Sequence, residues 1–137
     1  MNEMDGALAK LTYLREQVDA LRSIPAQPAG PVAAWVARGV RYCVQTAVEA
    51  MIDLCYHLSA KRLKHAPTNA HDALDALAQA GLVPGEPIGR WHHMIGLRNR
   101  LVRGYEQISD DRLKAEVDAG LADFDAFIAA VASLIPR

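Results

Sequence analysis

From about Val32 to Leu63 the apolar residues recur at intervals of three and four: Val36, Val40, Cys43, Val44, Ala47, Val48, Met51, Leu54, Cys55 and Leu58. That spacing lays a broad apolar face along one long helix. A face so wide needs cover on more than one side. The segment is therefore either the central helix of a core or a dimer-forming helix. Arg38, Arg41, Gln45, Glu49 and Asp53 run down another side.

The rest of the chain reads the same way. Leu8, Leu11, Leu14, Val18 and Leu21 define the stripe of a first amphipathic helix, from about Asn2 to Ile24. The run PAQPAGP, Pro25 to Pro31, ends it, because proline lacks a donor and clashes with the preceding turn. After a turn punctuated by Pro67, Thr68 or Asn69 is placed to cap a short helix from about Ala70 to Ala80, stopped by Gly81. The turn LVPGEP leads into a fourth helix carrying IGRWHHMIGLRNRLVRGY. Ser109, with Asp110 and Asp111 at the positive end of the dipole, opens a last helix. Its apolar set is Leu113, Val117, Leu121, Phe124, Phe127, Ile128, Val131 and Leu134. No useful stretch alternates as a strand does. The expectation is an all-α fold, an antiparallel four- to five-helix bundle forming one domain over residues 1–137.

Composition narrows the function classes. The net charge is −1, so contact with nucleic acid has to be local and not the work of a global basic field. Cys43 and Cys55 are too few for a disulfide framework and read as buried thiols in a reducing compartment. MNEMDGALAK has acids where a signal peptide needs a basic region, and no apolar run approaches the ~18 residues of a membrane span. The cytoplasm is the expected location, with no membrane contact.

Several familiar sites are missing: no glycine-rich phosphate loop, no GxSxG, no HExxH. His92 and His93 point about 100° apart on a helix, which makes them a poor metal pair and better read as core or surface residues. The informative stretch is MIGLRNRLVRGY, residues 94 to 105, where Arg98, Asn99, Arg100 and Arg103 interrupt an apolar pattern. Arg98 and Arg103 diverge by roughly 140° on an ideal helix, so a joint site needs a helix end, long side chains or a second subunit. Read alone, the stretch is also compatible with an amphipathic helix that has a solvated arginine face and Tyr105 at its rim.

Met94, Gly96, Leu97, Arg98, Asn99, Leu101, Val102, Gly104 and Tyr105 stand in register with a known signature: Met-x-Gly-Phe-Arg-Asn, two or three residues, then His-x-Tyr. It is that of the HepT-like proteins, the DUF86 group of the HEPN superfamily, which this chain resembles. RYCVQTAVEAMIDLCYHL is similar to the family's Arg-Tyr, Gln-x-Ala-x-Glu, Asp-x-x-x-His run, and DALDALAQAGLVP to its short third helix and turn. The resemblance covers residues 38 to 135. It implies a helical bundle that dimerises, with arginine and histidine from both subunits lining a shared cleft. The implied activity is metal-independent cleavage of RNA, tRNA or mRNA among the candidates, needing no cofactor. An arginine would bind the scissile phosphate and a histidine would move protons. It also implies an MNT-type nucleotidyltransferase antitoxin, which in related systems AMPylates a tyrosine in or beside the motif. Here that tyrosine is Tyr105. By resemblance the catalytic set is Arg98, Asn99 and Arg103.

At one position the chain departs from the signature. Arg103 occupies the place of the motif histidine. Arginine stays protonated at any ordinary pH, so it binds phosphate but does not act as a base. His92 lies near the face of Arg103 but about three turns away, roughly 16 Å, and only a partner subunit would bring it close. Three readings follow: an RNA-cleaving toxin acting as a homodimer, a catalytically degenerate HEPN domain that binds RNA, a nucleotide or its antitoxin without cutting, and a purely structural helical dimer.

Overall fold

The computed structural model describes residues 3–24, 31–103 and 108–135. Five helices occupy them: α1 (Glu3–Arg22), α2 (Pro31–Leu63), α3 (Ala70–Gln79), α4 (Ile88–Arg103) and α5 (Asp110–Ala132). The described residues contain no strand. The Pro25–Gly30 part of the first connection and Tyr105 lie outside the described residues. Proline at the first position of α2 fits a helix start, where its missing N–H would be unpaired anyway.

α2 is the central helix. It packs against α1, α3, α4 and α5, as its wide apolar face requires. Val44, Ala47, Val48, Met51, Leu54, Cys55 and Leu58 are all buried on it. Cys43, expected as a buried thiol, is only half-buried, whereas burial pushes the Cys55 thiol up to about 12. Cys55 is thus a packing residue and not a nucleophile.

Side-chain pairs report the helix directions. Lys10 meets Asp53 and Gln17 meets Thr46, so numbers rise on α1 as they fall on α2. Arg90 meets Asp123 and His93 meets Glu116, so α4 and α5 are antiparallel too. Arg41 reaches Asp110 near the start of α5, and Arg62 reaches the Leu134 carbonyl just beyond its end. α2 and α5 therefore run parallel, and α4 runs against α2.

Local chemistry sets where α3 begins and ends. The Asn69 side chain accepts from the Asp72 N–H at 2.9 Å, and Asp72 accepts from the Thr68 N–H at 2.9 Å. Together the two bonds cap the first turn of α3. At the other end Gly81 takes φ 75°, and Gly81 and Leu82 donate to the carbonyls of Ala78 and Leu77. That is the left-handed closure for which glycine is suited.

The cap has a pH signature. The Thr68 N–H, and then His65 at 3.0 Å, hold the Asp72 carboxyl below its ordinary value. A carboxyl depressed by folding stabilises above its unfolded pKa and loses that contribution as pH falls through its folded one. Asn69→Ala is expected to cost about 1 kcal/mol, read as a melting temperature lower by a few degrees in circular dichroism. The melting point of the wild type should also fall as pH drops below the carboxylate range, and Asp72→Asn should flatten that dependence. An Asn69→Ala melt superimposable on the wild type would show that the cap contributes nothing.

Candidate functional site

Arg98 sits on α4 one turn beyond the buried Met94 and next to the buried Leu97. It is half-buried against α2, where one terminal nitrogen donates to Glu49 Oε1 at 2.9 Å. The other donates to its neighbour Asn99 at 3.3 Å. Gln45 also donates to the same Glu49 oxygen, at 3.2 Å. The Arg98 Nε is buried and has no acceptor among the described residues, and the same holds for Nε and Nη2 of Arg100.

Arg98 and Asn99 open onto a recess of about 430 Å³ between α2, α3 and α4. Glu49, Asp53 and Tyr56 line it from α2, and His71 from α3. Its carboxylates are not free. Glu49 holds Arg98, and Asp53 holds Lys10 at 3.0 Å. The recess thus combines a guanidinium, a carboxamide, a phenol and an imidazole, which is polar equipment for a phosphodiester.

Another recess, of about 400 Å³, lies where α4 crosses α2 and α5. Its walls are mainly apolar, from Val44, Val48, Met94, Leu97 and Phe124. Its charged groups pair with each other, Arg90 with Asp123 and His93 with Glu116. It offers fewer uncommitted polar groups than the recess at Arg98.

The candidate residues separate accordingly. Arg98 and Asn99 come together in one recess. Arg103 is exposed in the last turn of α4 and does not line that recess; it lies roughly 140° around the helix from Arg98 and one turn beyond Asn99. Within this chain Arg98 and Arg103 form no joint site. Tyr105 falls outside the described residues. His92, weighed against His93 as a metal pair, contacts His71 and Asp75, while His93 bonds Glu116 at 2.7 Å.

His71 carries no motif of its own and in the sequence falls within a turn and helix start. The signal available was its position two residues after the Asn69 cap, which puts it in the first turn of α3. What brings it to Arg98 is the packing of α3 on α2 and α4, which no local pattern encodes.

Comparison with known proteins places the fold. The family model described as Ribonuclease HepT-like matches residues 34–131, which include the whole recess. The mRNA nuclease HepT of Shewanella oneidensis is 31% identical over 85 residues, 62% of this chain. That match spans 64% of the relative's own length, a little under two thirds. Among solved structures, a toxin–antitoxin complex with AMP-PNP aligns with a TM-score of 0.80 at 22% identity, covering 96% of this chain and 99% of that one. The tri-AMPylated Shewanella oneidensis HEPN toxin in complex with MNT antitoxin aligns with a TM-score of 0.76 at 23% identity, over 97% and 99% of the two chains. At those identities the structures speak for the fold, and the family match speaks for descent: this chain belongs to the HepT-like ribonuclease family.

Proposed function

We propose that this chain is the toxin of a HEPN/MNT (type VII) toxin–antitoxin pair. In this reading it is an endoribonuclease that cuts RNA without a metal and works as a homodimer. An MNT-type nucleotidyltransferase neutralises it. The observation that carries the reading is the recess holding Arg98 and Asn99 together, inside the segment matched by the family. Arginine N–H groups at Arg98 and Arg100 without acceptors among the described residues support it, because phosphate oxygens are the acceptors such groups favour. The relative's activity makes mRNA the first substrate to try, in the cytoplasm, and no described helix is long and apolar enough to cross a membrane.

The partners follow from the same comparisons and from the surface. Structural neighbours are complexes with an antitoxin, one of them an AMPylated toxin, which supports Tyr105 as the modification acceptor here. Trp35 is 71% exposed and Tyr42 62% exposed on the outer part of α2, with the Arg38 guanidinium 5.6 Å from the Trp35 ring. Large exposed aromatics beside an arginine are the composition of protein interfaces, and they support subunit contact at this end of α2.

Two observations favour a second reading. Arg103 replaces the motif histidine, and Arg98 is already held by a carboxylate. A degenerate domain that grips RNA or its antitoxin without cutting would look like this. The discriminating experiment incubates purified protein, free of antitoxin, with mRNA and tRNA in EDTA, beside Arg103→His. The expected result is cleavage by the wild type and suppression when the nucleotidyltransferase and ATP are present. Cleavage by Arg103→His alone would establish the degenerate reading instead.

A further inference from the structure

We propose that His71, backed by His92 and Asp75, is the proton acceptor for RNA cleavage in the Arg98 recess. The inference rests on the nuclease reading above and gives that site the proton-transfer group its motif lacks.

The chain has five histidines. His65 bonds Asp72 and His93 bonds Glu116, and neither histidine lines the recess. His57 is half-buried on α2 and does not line it. His71 alone lines it with Arg98 and Asn99. His92 stands directly behind His71.

The hydrogen bonds dictate the protonation pattern. His92 Nε2 lies 2.7 Å from Asp75 Oδ1, and a carboxylate only accepts, so Nε2 carries the proton. A neutral His92 then has an accepting Nδ1. His71 Nδ1 lies 2.6 Å from it and must donate. The ring centroids are 4.8 Å apart and the planes 29° from parallel. Two imidazoles joined edge to edge through their Nδ1 atoms have this geometry, whereas faces in contact would bring the centroids closer. With both Nδ1 atoms committed, neutral His71 keeps its lone pair on Nε2, which has no partner among the described residues.

That is a base with a built-in sink for charge. The ribose 2′-hydroxyl gives its proton to His71 Nε2 as its oxygen attacks phosphorus. The P–O2′ bond forms and the P–O5′ bond breaks, leaving a 2′,3′-cyclic phosphate. The departing 5′-oxygen takes a proton from solvent water, and the histidine pair then returns the proton it took to the hydroxide left behind. The Nδ1 proton of His71 can pass to His92 Nδ1, which places the positive charge beside the Asp75 carboxylate. Arg98 meets the charge on the phosphate oxygens. His92 and Asp75 act through His71 and are positioning residues.

The groups facing the imidazole pair are Glu49, Asp53 and Tyr56 from α2, Asp75 on α3 itself, and Arg98 from α4. Glu49 and Asp53 are each paired, with Arg98 and Lys10. The acid limb of a pH–rate profile should therefore report the histidine pair.

The test measures cleavage of a labelled single-stranded oligoribonucleotide in EDTA by wild type, His71→Ala and Asp75→Asn across pH. Thermal melts confirm that each variant is folded. His71→Ala should lose roughly 100-fold or more in rate, lose the acid limb, and regain activity with added imidazole. Asp75→Asn should move the acid limb to lower pH, because an imidazolium without its carboxylate gives up its proton more readily. A 2′-deoxy residue at the scissile position should block cutting. Equal rates for the wild type and His71→Ala overturn this inference and leave the nuclease reading standing. A slow His71→Ala that imidazole does not rescue also overturns it, since the role is then structural. No cleavage by the wild type overturns both.

Discussion

Replacing Arg98 by alanine should slow RNA cleavage by roughly 100- to 1000-fold while leaving the folded state nearly intact. The size of the loss follows from where the guanidinium sits. It is half-buried between α4 and α2, where water screens it less than at the surface, and it faces the recess that holds Asn99 and His71. A donor held in place before the reaction costs no reorganisation when charge develops on phosphate, and removing one such donor typically costs two to three orders of magnitude. The fold tolerates the loss for a separate reason. Glu49, the residue deserted by Arg98, still accepts from Gln45 at 3.2 Å and remains partly open to solvent, so no buried charge is stranded. Arg98→Lys should fall between the two: it keeps the charge but not the fork that reaches Glu49 and Asn99 together. Single-turnover cleavage in EDTA with a melt on each sample separates these effects. If Arg98→Ala cuts at the wild-type rate, the recess is not where RNA is cut. If it melts far below the wild type, Arg98 is primarily a structural tether between α2 and α4.

The fold was largely legible because its signals are local. The period of α2 predicts a helix with neighbours on several sides, and it has four. Asn69, Gly81 and Ser109 each close a helix end by chemistry contained within a few residues, so caps were readable without knowing what the helices pack against. The end of α2 shows the limit. No glycine marks it, and Lys64 takes the left-handed conformation instead, φ 53°, which a lysine adopts only when the surrounding structure demands it. The site divided along the same line. Arg98 and Asn99 stand in a contiguous motif and were found. The divergence of Arg98 from Arg103 follows from helix geometry alone. His71, His92 and Asp75 were not assembled, because the α3–α4 turn and the packing of both helices on α2 set their meeting. Glu49 and Arg98 were each noted as polar marks, yet their pairing joins residues far apart in the chain and is a product of tertiary packing.

Trp91→Ala should be the most destabilising single substitution in α4, costing about 3–5 kcal/mol of a total stability on the order of 5–15 kcal/mol. Trp91 is fully buried between α4 and α5. Its ring meets Phe127 edge-on, with centroids 5.4 Å apart and planes at 88°, the arrangement that puts a positive ring edge on a negative ring face. Its indole N–H donates to the Asp123 carbonyl of α5 at 2.9 Å. Alanine removes the ring contact, leaves a cavity and frees a carbonyl. Trp91→Phe should cost less, since most of the volume survives and only the indole N–H bond disappears. The surface pairs that flank the residue, Arg90 with Asp123 and His93 with Glu116, cannot compensate, because solvent screens exposed ion pairs and they contribute little. Urea unfolding followed by circular dichroism measures the difference. The consequence for activity distinguishes packing from chemistry. α4 carries Arg98, so a loosened α4 should lose cleavage in proportion to the unfolded fraction and recover it on cooling, whereas Arg98→Ala should stay slow at every temperature. A Trp91→Ala variant within 1 kcal/mol of the wild type would mean that α4 is held by α2 and α3 and that its contact with α5 is incidental to the site.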